Sequence, residues 1–199
     1  MNPFTYPATP HIRRHGPQGY ADPDSYRPWL RDDFNFRCVY CLLRERWGQF
    51  RGIYAIDHFV PLAKHPHSVG HYDNLLYACV TCNAAKRDRN VPDPLSLLTS
   101  PAVRVAEDGK IIADSPEAAQ LIELLGLDSE PSTEFRMLWM GIVALAQRHD
   151  PELYRQLMGY PDELPNLARL RPPGGNTRPE GVSQCYFAQK QAGILPATY

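Results

Sequence analysis

The sequence predicts an α+β fold in which a small core stapled by a metal precedes a mainly helical C-terminal portion. Three observations lead to this prediction: two Cys-x-x-Cys pairs (Cys38/Cys41 and Cys79/Cys82), two short β-rich runs between them, and a long run with helical spacing after residue 130. The 199 residues suffice for one domain, or for one small domain with an extension.

The first two segments are predicted as an arm and a core. Residues 1–33 are rich in Pro, Gly, Tyr and Arg, which predicts an irregular arm that ends in one or two helical turns, with Trp29 and Leu30 facing inward. Within residues 34–92, "GIYAID" and "LLYACV" predict two short strands joined by a loop. "TCNAAKRDR" then predicts a helix with Thr81 as its N-cap.

The third segment, residues 93–160, begins with a hairpin signal. "VRVAEDGKIIA" holds two β-rich runs around an Asp-Gly pair, and Gly tolerates the positive φ that such a turn requires. "SPEAAQLIELLGL" predicts a helix with Ser115 as N-cap, Pro116 at its first position and Gly126 closing it.

The longest helical run follows, and Asp150-Pro151 predicts a break within it. Residues 161–199 are again rich in Pro and Gly and predict a tail that is extended or turn-rich. The apolar residues that recur at helical spacing in the long run predict one buried stripe: Phe135, Leu138, Trp139, Ile142 and Leu145.

The paired cysteines predict a metal site. Two Cys-x-x-Cys units can supply four thiolates in a tetrahedral array, which suits a closed structural Zn²⁺ site. The alternative is that Cys38, Cys41, Cys79 and Cys82 are ordinary buried cysteines. Cys185 stands alone in the sequence and is expected to be an idle thiol.

Between and beside the cysteine pairs lies a second set of residues: Asp57, His58, Asn74 and Asn83. Carboxylate and amide oxygens are hard ligands that suit Mg²⁺ or Mn²⁺. A histidine beside such an ion can act as general base on water. This set fits hydrolysis of a phosphodiester, whose oxygens also bind the ion.

The ordered motifs resemble those of the HNH nuclease family, also called the ββα-metal fold. They are the first Cys-x-x-Cys, "IDHFVP", and "DNLLYACVTCNAAK", and the resemblance covers about residues 34 to 92. It implies that the strand before "DH" and the strand after "NL" form a hairpin. It also implies that a helix begins at the second cysteine pair.

The resemblance also implies residue roles. His58 would be the general base, and Asp57 and Asn83 would be ligands of a catalytic Mg²⁺ or Mn²⁺. Asn74 would hold the loop that carries the base. Asn rather than His at position 83 favours Mg²⁺ or Mn²⁺ over Zn²⁺ at that site.

Basic residues next to this motif are candidates for nucleic-acid binding. Lys86, Arg87 and Arg89 follow the last ligand candidate, and the resemblance favours phosphate contact for Lys86. The alternative is a solvated helix face. A second basic cluster either grips nucleic acid or pairs with nearby aspartates: Arg13, Arg14, Arg27 and Arg31.

The predicted function is therefore a metal-dependent endonuclease acting on nucleic acid, with DNA the expected substrate. The alternative is a zinc-stabilised adaptor that binds nucleic acid or protein without catalysis. Because the net charge is −1, the chain has few cations to spare for phosphates. We therefore expect a protein partner or a homodimer, as in a restriction or anti-phage defence assembly.

The sequence also bears on location. No apolar run approaches the ~20 residues of a membrane-spanning helix, and the start of the chain lacks the apolar stretch of a secretory signal. We expect a cytoplasmic protein with no membrane partner.

Overall fold

The computed structural model describes residues 2–48, 53–64 and 66–199. Over these residues the protein is mixed α/β, with two separate antiparallel hairpins among short and long helices. The strands are β1 (Tyr54–His58), β2 (Leu75–Cys79), β3 (Val103–Val105) and β4 (Ile111–Ala113). The helices are α1 (Arg27–Asp33), α2 (Val80–Lys86), α3 (Pro94–Leu97), α4 (Pro116–Leu124), α5 (Glu130–His149), α6 (Pro151–Met158) and α7 (Tyr186–Gln191).

The first hairpin joins β1 to β2, as the sequence predicts. Tyr54 pairs with Cys79 at one end and His58 pairs with Leu75 at the other. Helix α2 follows β2 directly. Its N-cap is Cys79 and not the predicted Thr81, because the Cys79 Sγ accepts a hydrogen bond from the Cys82 backbone N–H at 3.4 Å. The cysteine is thus tied to the helix start as well as to the other cysteines.

The predictions for the second hairpin and for α4 are confirmed. Strands β3 and β4 pair antiparallel around Gly109, which has φ +77°. Helix α4 has Ser115 as N-cap, with its side chain accepting from the Ala118 N–H, and Pro116 at its first position. Gly126, at φ +63°, follows the end of the helix. These elements are specified by local turn and cap chemistry.

Helices α5 and α6 meet at Asp150, which caps α6, so the predicted break is confirmed. The predicted buried stripe on α5 is confirmed only for Trp139, which packs against the core and stacks on Trp47, whereas Leu138 and Leu145 are exposed. The buried side chains of α5 are Arg136, Val143 and Ala146. Both sides of this helix carry apolar residues at helical spacing, and periodicity alone does not say which side faces the core.

The two ends of the chain pack onto the body. Phe4 and Tyr6 of the arm are buried in the core. The backbone N–H of Gln18 donates to the carbonyl of Gly175, which joins the arm to the tail. Helix α1 turns Trp29 inward as predicted. No helix in the described part of the chain combines the length and apolar character needed to cross a bilayer.

Candidate functional site

The four paired cysteines come together in one cluster. The sulfurs of Cys38, Cys41, Cys79 and Cys82 all lie within 4.8 Å of one another. The Sγ atoms of Cys41 and Cys79 are 3.7 Å apart. Four sulfurs around Zn²⁺ at about 2.3 Å would be separated by about 3.8 Å in a regular tetrahedron. The cluster therefore has the ligand type and spacing to hold a metal ion such as zinc.

The close packing of the four thiols also shifts their pKa values. Hydrogen bonds from Cys38 and its neighbours hold the pKa of the Cys79 thiol far below its usual value. Thiol hydrogen bonds, first that with Cys38, also raise the pKa values of Cys41 and Cys82. Deprotonation of all four requires a positive charge at their centre.

The cluster joins the segment that precedes the β1–β2 hairpin to the segment that follows it. Cys38 and Cys41 lie in a tight turn before β1, where the Leu42 N–H donates to the Cys38 carbonyl at 3.0 Å. Cys79 ends β2 and Cys82 lies in α2. Asp57 and His58 lie at the far end of β1, Asn74 lies just before β2, and Asn83 lies in α2.

Asp57 is buried in a network with Tyr40 and Lys86. Its side chain is 3 % exposed, with Oδ2 accepting from the Tyr40 hydroxyl at 2.6 Å and Oδ1 accepting from Lys86 Nζ at 2.9 Å. Burial raises the pKa of Asp57, and the hydrogen bond from Tyr40 and the charge of Lys86 oppose that rise. Burial also raises the pKa of Tyr40, which therefore donates as a neutral phenol.

The expected contact between Lys86 and a phosphate requires an exposed ammonium, and the structure does not expose it. It is fully buried, and its ammonium also donates to the His58 carbonyl at 2.6 Å. Both interactions bind α2 to the end of β1. The ammonium thus points into the protein and neutralises a carboxylate.

His58 is half-buried at the end of β1. Its Nε2 lies 3.1 Å from the carbonyl oxygen of Val69, across the loop. Because a carbonyl only accepts hydrogen bonds, Nε2 must carry the proton. In the neutral imidazole, Nδ1 is then the basic nitrogen.

Asn74 holds the segment that follows His58. Its side-chain oxygen accepts from the Val60 N–H at 2.8 Å, and its side-chain nitrogen donates to the Val60 carbonyl at 3.1 Å. The same nitrogen lies 3.1 Å from the Ser68 hydroxyl. The Asn74 carbonyl accepts from the Phe59 N–H at 2.8 Å. These bonds join the two ends of the loop beside His58.

The remaining candidates lie on or after α2. Asn83 is half-buried, one turn before Lys86. Among the described residues, the side-chain hydrogen bonds of Asp57 and His58 go to Tyr40, Lys86 and Val69 rather than to Asn83. Consecutive strand residues point to opposite faces, so Asp57 and His58 diverge at the end of β1. The structure thus joins Asp57 to α2 through Lys86.

Arg87 and Arg89 are exposed, but they differ in their contacts. The Arg89 guanidinium donates to the carbonyls of Ala85, Lys86 and Leu124, which satisfies the ends of two helices. Arg87 has φ +55°, a conformation that favours glycine. The Arg89 guanidinium is thus engaged by backbone carbonyls of this chain.

The second basic cluster pairs with acidic side chains. Arg14 lies 2.9 Å from Asp32 and Arg27 lies 2.6 Å from Asp24. Arg31 donates two hydrogen bonds to Glu45, which is not among the aspartates expected as its partners. Arg13 is buried, with its Nε 3.8 Å from Asp73. These cations hold the arm and α1 in place.

Sequence reasoning missed Tyr40 and Val69. Tyr40 lies between Cys38 and Cys41, and that place inside a Cys-x-x-Cys unit is the one signal the sequence offers for it. Val69 acts through its backbone, which leaves no trace in residue type. His67 and His71 are exposed in the loop, and His65 lies outside the described residues.

Comparison with protein-family models gives no match, and comparison with curated proteins finds no similar sequence.

Proposed function

We propose that this protein is a metal-dependent endonuclease of the HNH type that hydrolyses phosphodiester bonds of nucleic acid, with DNA the expected substrate. The observation that carries the proposal is the side chain of Asn74, which binds the backbone of Val60 two residues after His58. The half-buried His58 imidazole is thereby held where the loop begins, and the Val69 carbonyl orients its Nε2.

The order of elements supports the same proposal. A hairpin followed at once by a helix, with cysteines before β1 and at the β2–α2 junction, is the arrangement that the sequence resemblance implies. The cysteine cluster would hold Zn²⁺ as a structural ion, since all four ligands are thiolates and no position is left for water.

The His58 imidazole would act as general base through Nδ1. It takes a proton from water, the resulting hydroxide attacks phosphorus in line, and the 3′ oxygen departs to leave a 5′-phosphate. The hydrogen bond from Nε2–H to the Val69 carbonyl stabilises the imidazolium that forms.

Asp57 and Asn83 would hold Mg²⁺ or Mn²⁺, which would neutralise charge on the phosphate and on the departing oxygen. Their oxygen atoms suit such an ion. Each carboxylate oxygen of Asp57 accepts one hydrogen bond from a side chain and retains a further lone pair. Lys86 supplies positive charge at the same carboxylate, so ion binding competes with this ammonium.

The experiment is cleavage of supercoiled plasmid, single-stranded DNA and RNA by the purified protein with Mg²⁺ or Mn²⁺. We expect His58→Ala to lower the rate by at least about 100-fold, as loss of a general base does. His67→Ala is the matched control, because His67 is an exposed histidine of the same loop. Cutting that survives His58→Ala, or no cutting of any substrate with either ion, contradicts the proposal.

The buried Asp57–Lys86 pair favours a second candidate, a zinc-stabilised adaptor that binds without catalysis. A carboxylate already neutralised by a buried lysine needs no ion. Binding of labelled nucleic acid in EDTA, unchanged by His58→Ala and never followed by cleavage on adding Mg²⁺ or Mn²⁺, identifies the adaptor.

A further inference from the structure

Helix α5 presents an apolar surface to solvent on the side opposite its buried residues. Its inward face consists of Arg136, Val143 and Ala146. On the outward side, Leu138 and Leu145 are each 62 % exposed, and at its edge Phe135 is 39 % exposed with its ring against Phe4. Apolar side chains this exposed are common singly, but a group of them on one helix indicates an interaction surface.

The spacing of these residues is that of a helix-pairing seam. Pro131, Leu138 and Leu145 lie seven residues apart, and Phe135 and Ile142 fall between them at the same interval. A sustained seven-residue repeat keeps one stripe of a helix facing a partner helix. We call this outward stripe the α5 seam.

Gly141 lies in the α5 seam. It is exposed, and a Cβ placed there would meet no atom within 4 Å. Glycine is a poor helix former, so its place in the middle of a 20-residue helix has a cost and no internal packing reason. The missing side chain does allow a second helix backbone to approach closely.

The charges at the two ends of the α5 seam are opposite. Glu130 and Glu134 are exposed at its start, and Arg148 and His149 are exposed at its end. In a parallel pair of such helices like charges would meet. In an antiparallel pair, each acidic end lies against a basic end, and the helix dipoles also oppose one another favourably.

We propose that the protein forms a two-fold symmetric homodimer through antiparallel pairing of the α5 seams. With the axis passing between Gly141 and Ile142, Leu138 of one copy lies against Leu145 of the other. Glu134 then lies against the Arg148–His149 end. The same patch serves both copies, as a two-fold interface requires.

This inference does not rest on the proposed nuclease function, since the α5 seam lies outside the β1–β2–α2 unit. It does bear on that function. One hairpin site acts on one strand, and a dimer brings two such sites into one particle. Because the net charge of one chain is −1, a dimer would also help by presenting two copies of each exposed cation to one nucleic acid.

The test is sedimentation equilibrium of the full chain from low micromolar to submillimolar concentration. We expect reversible dimerisation, with Leu138→Lys weakening the dimer by about 30-fold or more, the loss typical of a central interface anchor. Ile12→Lys is the control, because Ile12 is 82 % exposed far from α5 in the sequence and should leave association unchanged. Circular dichroism of both variants should match the parent, since neither side chain is buried.

A charge exchange tests the orientation. Glu134→Lys and Arg148→Glu should each weaken the dimer several-fold, and the double variant should recover most of the affinity, because each new lysine then faces a new glutamate. A monomer at every concentration, or a dimer indifferent to Leu138→Lys, overturns the proposal. A double variant no tighter than the single ones overturns the antiparallel pairing.

Discussion

Residues 34–92 and helix α5 differ in how their side chains are paired. In the former, buried polar and sulfur groups have named partners: four thiols in one cluster, and a carboxylate between a phenol and an ammonium. In α5, apolar residues occupy both sides of the helix and only one side is covered. Loss of one group should therefore cost far more in the first region than in the second.

Loss of the metal should have the largest effect. Cys79→Ser removes one of four clustered ligands, and structural Zn²⁺ contributes about 10–16 kcal/mol of binding free energy in small zinc domains. That exceeds the stability of most whole domains. We expect loss of bound zinc, measured by elemental analysis, together with loss of the thermal unfolding transition.

Cys185→Ser is the control for that prediction. Cys185 is buried, as Cys79 is, but lies outside the cluster. Its serine variant should retain zinc and lose at most about 3 kcal/mol, the cost of burying a hydroxyl. Equal zinc loss in both variants would show that the cluster is not the metal site.

Lys86→Met should have the next largest effect. It leaves the Asp57 carboxylate buried and without its cation, which should lower the free energy of unfolding by about 3–5 kcal/mol in urea titrations. Adding Asp57→Asn should recover part of this loss. Lys64→Met, at an exposed lysine, should change little. If added Mg²⁺ restores the stability of Lys86→Met but not of the double variant, Asp57 is the ion's ligand.

Asn74→Ala should have a smaller effect on stability and a clear effect on the site. It removes the side-chain bonds to Val60 and leaves polar backbone groups without partners, at about 1–3 kcal/mol. Cleavage should fall while zinc content stays at the parental level. Asn90→Ala, at an exposed asparagine, should alter neither. If Asn74→Ala cleaved at the parental rate, the loop that Asn74 holds would not be needed for cleavage.

Gly141→Ala should have the smallest effect, and of opposite sign. At concentrations low enough to keep the chain monomeric, it should raise the free energy of unfolding by about 0.5–1 kcal/mol, because alanine is the better helix former and meets open space. Gly109→Ala is the contrasting control. Gly109 has φ +77°, and a Cβ there would lie 2.7 Å from the Thr133 carbonyl oxygen. Gly109→Ala should therefore lower the free energy of unfolding.

Local signals in the sequence predicted the elements well. Ser115, Pro116 and Gly126 delimit α4, and the Asp-Gly pair marks the second hairpin, since capping and turn geometry depend on a few neighbouring atoms. The N-cap of α2 was misplaced because its acceptor is a sulfur, Cys79, which belongs to the cluster.

These local signals could not predict pairings between residues far apart in the chain. Asp57 and Lys86 are 29 residues apart and meet because α2 packs against the end of β1. A lysine after a ligand motif looks the same in sequence whether it faces a phosphate or a buried carboxylate. Its burial settles which of the two it contacts in this structure.

The sequence by itself determined the spacing of the cysteines and the strands and helices around them, which follow from residue type and period acting within a few residues. The motif resemblance supplied the candidate residues at positions 57, 58, 74 and 83. The tertiary structure decided which face of α5 is covered, where the ammonium of Lys86 points, and which nitrogen of His58 is free. Those outcomes depend on desolvation and on partners distant in the chain, and periodicity carries no record of either.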